Sequence, residues 1–300
     1  MTRKKSTTKS APAALPANPF STFVPNTTLW NIANARALAY ASNLAYGLPA
    51  DIPNGAAAWG FDPARVTVIA PASSILQAVI IGGPTAVIVA FRGTRPDELK
   101  DWMADFEIEQ VAFSDYFPAH DVGMVHEGFC RLLAGSWREI HSAVTRYQDN
   151  GQPVWITGHS LGGALAAMAT AAFTFAAREP VNGLYTFGQP RIGGIDFCNQ
   201  CDSNFGDVMF RFVNNEDIVT RVPPRIVPGI PLPSFYGHSG QVRFFDGDGN
   251  LHADDHWWNS FLINVEVGFA NMKTLLSAPV ADHCLDCRPG GYIARIEKNI

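Results

Sequence analysis

The chain has 300 residues, 47% hydrophobic and 16% charged, with a formal net charge of -5 at pH 7. That is ample apolar material for a core, in one large domain or two small ones. The acidic balance argues against a nucleic-acid binder. The longest apolar run, Ala164 to Ala177, is too short to span a bilayer.

The first ten residues are basic (Arg3, Lys4, Lys5, Lys9), but prolines break the apolar stretch after them. A secretory signal needs that stretch unbroken. An ordinary signal is therefore not expected, which leaves a cytoplasmic location or export by another route. Residues 1 to about 25 read as a disordered tail. Thr27 to Gly47 has helical spacing, with Trp30, Ala33, Ala37, Ala41 and Leu44 recurring and Gly47 and Pro49 as stops. Strand-like runs follow at Arg65–Ala70, Ile75–Ile81 and Thr85–Phe91, the last two joined by Gly82-Gly83-Pro84. The third is apolar throughout, as a strand covered on both faces should be. Asp97 to Phe106 is amphipathic at helical spacing, and a longer helix is expected from His126 to Tyr147. Later strands are expected at Leu184–Phe187, Val208–Val213 and Gln241–Phe245. No internal repeat or second domain boundary is evident, so residues 26 to 300 read as one α/β domain with a mainly parallel central sheet and flanking helices.

The most informative stretch is Thr157-Gly158-His159-Ser160-Leu161-Gly162-Gly163-Ala164. It lies between an apolar strand-like run, Pro153 to Ile156, and an alanine-rich helix-like run. Gly-x-Ser-x-Gly in that setting is a nucleophile elbow, a turn so sharp that side chains at the flanking glycines would collide. A serine hydroxyl needs a base, and the base needs an acid to fix its tautomer. In chain order the acid comes next, then the histidine. Asp217, just past an apolar strand, is the best acid; Asp196 and Asp207 follow no strand. The downstream histidines are His238, His252, His256 and His283, and chain order does not choose between His256 and His283. For the oxyanion, the Leu161 amide and the loop Arg92-Gly93-Thr94 after an earlier strand are well placed.

Other patterns carry less. The five cysteines include Cys198/Cys201 and Cys284/Cys287 pairs, without the surroundings of a zinc ribbon. Asp246 to Asn250 opens like a calcium loop, but Leu251 stands where glycine is needed and Trp257 where glutamate is needed. No metal and no cofactor is expected.

Several motifs together resemble the class 3 lipases, the family of fungal triacylglycerol lipases and their bacterial relatives. They are Ala90-Phe91-Arg92-Gly93-Thr94, Asp101 to Asp105, Val125 to Phe129, the elbow, Thr186 to Arg191, and Phe212 to Val219. The resemblance runs from about Ala35 to the C-terminus and implies an α/β-hydrolase fold. It makes Ser160 the nucleophile, Asp217 the acid, and Thr94 with Leu161 the oxyanion hole. It favours His283 as base, because Asp282-His283 is followed by Tyr292-Ile293. It makes Arg95 to Asp101 a short helical lid that swings away at an oil–water interface. The implied substrate is a lipid ester, most simply a triacylglycerol. Phospholipases A1, mono- and diacylglycerol lipases and feruloyl esterases share the scaffold, and the Pro223–Pro233 and Cys284–Gly291 stretches border the predicted site.

Overall fold

The computed structural model describes residues 18–95, 97–104, 108–225, 235–253, 281–286 and 289–300. Their main sheet has eight strands in the order β1 (Val66–Ile69), β2 (Ala78–Gly82), β3 (Val87–Phe91), β6 (Val154–His159), β7 (Gly183–Phe187), β9 (Met209–Asn214), β11 (Gln241–Phe245) and β12 (Leu251–His252). The run from β3 to β11 is parallel, and antiparallel pairs close both edges. A smaller antiparallel sheet joins β4 (Gln110–Ala112), β5 (Met124–His126), β8 (Gly193–Gly194) and β10 (Tyr236–Gly237).

Strand register sorts the side chains into two layers. Ile156, Leu184 and Met209 share one face of the main sheet, and Thr157, Tyr185 and Phe210 share the other. The first face packs against α4 (Glu127–Ala134), α5 (Trp137–Tyr147) and α6 (Leu161–Ala171). The second packs against α1 (Ile32–Leu44) and α8 (Tyr292–Lys298). With both faces covered, β3, β6, β7 and β9 are wholly buried, and β3 is accordingly apolar throughout. Every residue of α6 is buried too. Its small side chains let the helix lie close behind the sheet, as a helix apolar all round must.

Several boundaries differ from the sequence reading. The first helix begins at Ile32, not Thr27, because the Asn31 side chain accepts from the amides of Ala33 and Asn34. The expected helix from His126 to Tyr147 breaks at Gly135–Ser136 into α4 and α5. The elbow helix starts at Leu161 rather than Ala164, since the turn itself forms its first residues. It continues in a wider π-helical turn, Ala172–Ala177, that ends on Arg178 at φ 59. Residues 18–25, assigned above to a disordered tail, are packed: Asn18 donates to the Trp59 carbonyl at 2.7 Å, and Phe23 meets Trp155 edge-on. The rest of that tail, residues 1–17, lies outside the described residues, as do His256 and Cys287 and the proline-rich stretch beyond residue 225 as far as 234. Among the described residues no helix is long and apolar enough to cross a membrane.

Candidate active site

Ser160 sits between β6 and α6 at φ 60 and ψ -130, a backbone conformation that side-chain-bearing residues rarely adopt. Its amide donates to the Phe187 carbonyl at 2.9 Å, and its own carbonyl accepts from Gly163 N at 2.8 Å. A Cβ on Gly158 would run into the Gly162 carbonyl, and one on Gly162 into the Phe91 carbonyl. The glycines are there for close approach, as the sequence suggested.

Asp217 follows β9, and His283 arrives from the far end of the chain. The His283 Nδ1–H donates to both Asp217 carboxylate oxygens at 2.9 Å. Both side chains are buried. Asp217 also accepts from Val219 N at 2.9 Å and from the Tyr292 hydroxyl at 2.5 Å. Burial alone would push this carboxyl up. The charge on His283 and the hydrogen bonds from His283 and Tyr292 outweigh it, and the carboxyl lies below its ordinary value. Gly188, at φ 62, makes room for the pair: a Cβ there would come within 2.7 Å of Asp217 Oδ2 and 2.8 Å of the His283 ring. Asn214, at the end of β9, donates to the carbonyls of Asp282 (2.8 Å) and Gly290 (2.6 Å), tying the histidine loop to the strand that carries the acid.

The loop Arg92-Gly93-Thr94, expected to receive the oxyanion, lies directly over Ser160. A Cβ on Gly93 would sit 3.0 Å from Ser160 Cβ. Leu161 opens α6, so the positive end of a helix dipole also faces this point. Three polar atoms here are buried and have no partner among the described residues: Ser160 Oγ, His283 Nε2 and Thr94 Oγ1. An unsatisfied buried polar group costs about 1–3 kcal/mol, so such groups mark a place where something else is meant to bind.

The other acids and histidines lie elsewhere. Asp196 and Asp207 are exposed on α7 (Ile195–Phe205) and just ahead of β9. His238 Nε2 donates to the Thr220 carbonyl at 2.8 Å, and His252 meets Asp246 at 2.9 Å. The Asp246 turn is closed by its own side chain, which accepts from Asn250 N at 2.8 Å. Cys130, Cys198 and Cys201 are buried free thiols, and burial holds each thiol well above its ordinary value.

The segment expected to form a lid contains α3 (Leu99–Ala104), shorter than the expected Asp97–Phe106 helix; residues 96 and 105–107 lie outside the described ones. Leu99, Trp102 and Met103 of α3 pack against Ile218, Val219 and Val222, the segment just after Asp217. A cleft of about 600 Å³ opens beside the elbow, lined by Ile75, Trp102, Phe129, Leu132 and Leu161 among others.

Residues 88–227 match the family model "Lipase (class 3)". Over that stretch, just under half of its length, the chain is similar to the class 3 lipases. Among curated relatives it is 28% identical over 178 residues to the secreted mono- and diacylglycerol lipase MDL3 of Malassezia globosa, covering 56% of this chain and 58% of that protein. It is 33% identical over 144 residues to a Rhizomucor miehei lipase, covering 46% and 38% respectively. The chain thus spans little more than half the length of the first curated relatives it matches. A solved triacylglycerol lipase, described as having a serine protease triad at its catalytic centre, superposes with TM-score 0.60 at 24% identity, covering 77% of this chain and 89% of that one. A Penicillium cyclopium structure superposes with TM-score 0.57 at 17% identity, covering 71% and 79%. The shared architecture is the α/β-hydrolase fold.

Two neighbours of the site have parts that the sequence does not signal. Tyr292 was only a marker for the histidine, and His159 only a filler in the elbow. The His159 imidazole is buried and accepts at Nδ1 from the Tyr46 hydroxyl at 2.7 Å. Its Nε2–H donates to the His283 carbonyl at 2.7 Å. Burial, and then the charge of His283, pull its pKa down to about 3. This gives a stability prediction. Below about pH 6.5 the unfolded chain binds a proton at this residue that the folded chain refuses. Stability present above that pH is then lost as pH falls from about 6.5 towards the folded value, at about 1.4 kcal/mol per pH unit. Urea midpoints at pH 7 and pH 5 should show the fall, and His159→Gln should reduce it by the share of one proton. An equal fall in wild type and variant refutes the assignment.

Proposed function

We propose that the chain is a serine carboxylester hydrolase, a lipase acting on glycerol esters, most simply triacylglycerols, from a single catalytic domain. The three unpartnered buried atoms carry the reading, because an ester in its tetrahedral state supplies what each lacks. Ser160 Oγ attacks the carbonyl carbon and His283 Nε2 takes its proton. Asp217 holds the other ring nitrogen as a donor and stabilises the imidazolium. The oxyanion is received by Thr94 and the Leu161 amide at the head of α6. His283 then gives its proton to the departing alcohol. Water, deprotonated by the same nitrogen, releases the fatty acid and restores Ser160.

An apolar substrate fits the surroundings. The face of α3 that lies on Ile218, Val219 and Val222 is apolar, as is much of the cleft beside Leu161. Moving α3 aside uncovers both surfaces, which is the behaviour of a lid at an oil–water interface. Secretion of the Malassezia relatives supports an extracellular place of work.

Fluorophosphonate treatment, read by mass spectrometry, should modify Ser160 alone. A hydrolysis panel of triacylglycerols, phospholipids and p-nitrophenyl esters of graded chain length should favour glycerol esters. The rate should rise sharply once the substrate passes its solubility limit. An unlabelled Ser160 together with an inert panel overturns the proposal; fastest turnover of soluble short esters, with no rise at the solubility limit, overturns its lipase part.

A further inference from the structure

The chain that fixes the site does not stop at Asp217. His159 immediately precedes the nucleophile, and its Nε2–H donates to the backbone carbonyl of His283 itself. The two rings lie 4.5 Å apart, centroid to centroid. At the other side, the Tyr46 hydroxyl donates to His159 Nδ1, which leaves Nε2 as the nitrogen that carries the hydrogen. Tyr46 lies just beyond α1, and α1 is bonded to β6 through Ser42 Oγ and Thr157 Oγ1 at 2.9 Å. The same hydroxyl lies against the oxyanion loop: a Cβ on Gly93 would run into Tyr46 Oη and the His159 carbonyl. The Gly93 backbone also hydrogen-bonds this phenol, while burial keeps it protonated and able to donate.

We infer that Tyr46 and His159 form a positioning strap that ties the backbone of the proposed base, His283, to the nucleophile turn and the oxyanion loop. It rests on the assignment of Ser160 and His283 as nucleophile and base. Neither strap residue touches the reacting atoms. The strap holds the His283 backbone at its carbonyl while Asp217 holds its ring, so the remaining ring nitrogen, Nε2, is fixed from two directions. Misplacement of a catalytic group by about 1 Å costs up to about 10²-fold, which sets the scale of the effect.

Three variants separate positioning from packing. His159→Phe keeps the ring but has no donor. It should lose about 10²-fold in kcat at little change in KM, and its fluorophosphonate labelling should slow in parallel. His159→Gln places an amide donor near the Nε2 position and should recover kcat to within about fivefold of wild type. Tyr46→Phe should lower kcat about tenfold, and combined with His159→Phe it should add nothing, because the two act in series. A His159→Phe enzyme within twofold of wild type overturns the strap. So does equal impairment of the Phe and Gln variants at matched thermal stability, which is a packing effect. If His159→Phe does not fold, Tyr46→Phe decides, since full activity there removes the anchor from the scheme.

An independent readout needs no turnover. Nitrogen-15 NMR of the histidines should find His159 neutral, with hydrogen on Nε2, from pH 5 to 8. The charged and titratable groups facing it are His283, Asp217, Tyr46 and Tyr292. Titration of His159 in that range, or hydrogen on Nδ1, overturns the strap even if Ser160 proves to be the nucleophile. Failure of wild-type enzyme to label at Ser160 instead overturns the proposed function, and the NMR result still decides whether the strap exists.

Discussion

Ser160→Ala is expected to remove about 10⁶ of turnover, leaving only what the oxyanion groups and substrate binding supply. The size follows from the geometry. In the proposed mechanism the other groups act through this hydroxyl, whose proton is the one His283 Nε2 takes; that nitrogen has no hydrogen-bond partner among the described residues. Stability should change little or rise slightly. The alanine Cβ occupies the same φ 60 backbone, so the strain remains, while a buried hydroxyl with no partner is gone. Steady-state hydrolysis of a p-nitrophenyl ester and the thermal midpoint should be measured on the same preparation. A variant that keeps a tenth of wild-type activity, with its midpoint unchanged, rules out Ser160 as nucleophile.

The candidate site was legible where its proposed chemistry is local. The elbow announces itself because glycines at 158 and 162 are required by backbone clashes within a few residues. Asp217 was legible because a polar residue right after a fully buried strand has few other reasons to be there. His283 was harder. Chain order left it level with His256, and only the Asp-His and later tyrosine pattern favoured it. The fold explains that pattern: Asp282 is bonded to Asn215, and Tyr292 reaches back to Asp217.

What stayed hidden was tertiary. Tyr46 and His159 are 113 residues apart, and nothing in either neighbourhood signals the other. A tyrosine past the end of a helix reads as core, and a histidine inside an elbow reads as spacing. The helix break at Gly135–Ser136 escaped because both sides of it face the same core, so the apolar pattern continues across the break. The packing of residues 18–25 escaped for a different reason: two phenylalanines in a proline-bordered stretch carry no periodicity until Trp59 and Trp155 are placed beside them.

Asp217→Asn should cost about 10⁴-fold in kcat with KM nearly unchanged, by analogy with the same change in other serine triads. The carboxylate is an acceptor only, and its described hydrogen-bond neighbours all donate: Val219 N–H, the Tyr292 hydroxyl and His283 Nδ1–H. An amide brings two N–H donors into that shell. The simplest relief moves the imidazole hydrogen from Nδ1 to Nε2, so that Nδ1 accepts from the new amide. Nε2 then carries a hydrogen and is unable to take the one on Ser160. The negative charge that stabilises the imidazolium is lost in the same step. Tyr292→Phe removes only one donor and leaves the carboxylate with its charge and its bond to His283, so it should cost less than tenfold. The ranking is therefore the sharper test. If Tyr292→Phe impairs kcat as much as Asp217→Asn at equal thermal stability, the tyrosine has a larger part than holding the acid. If Asp217→Asn keeps a tenth of the activity, the imidazole is oriented by something other than Asp217.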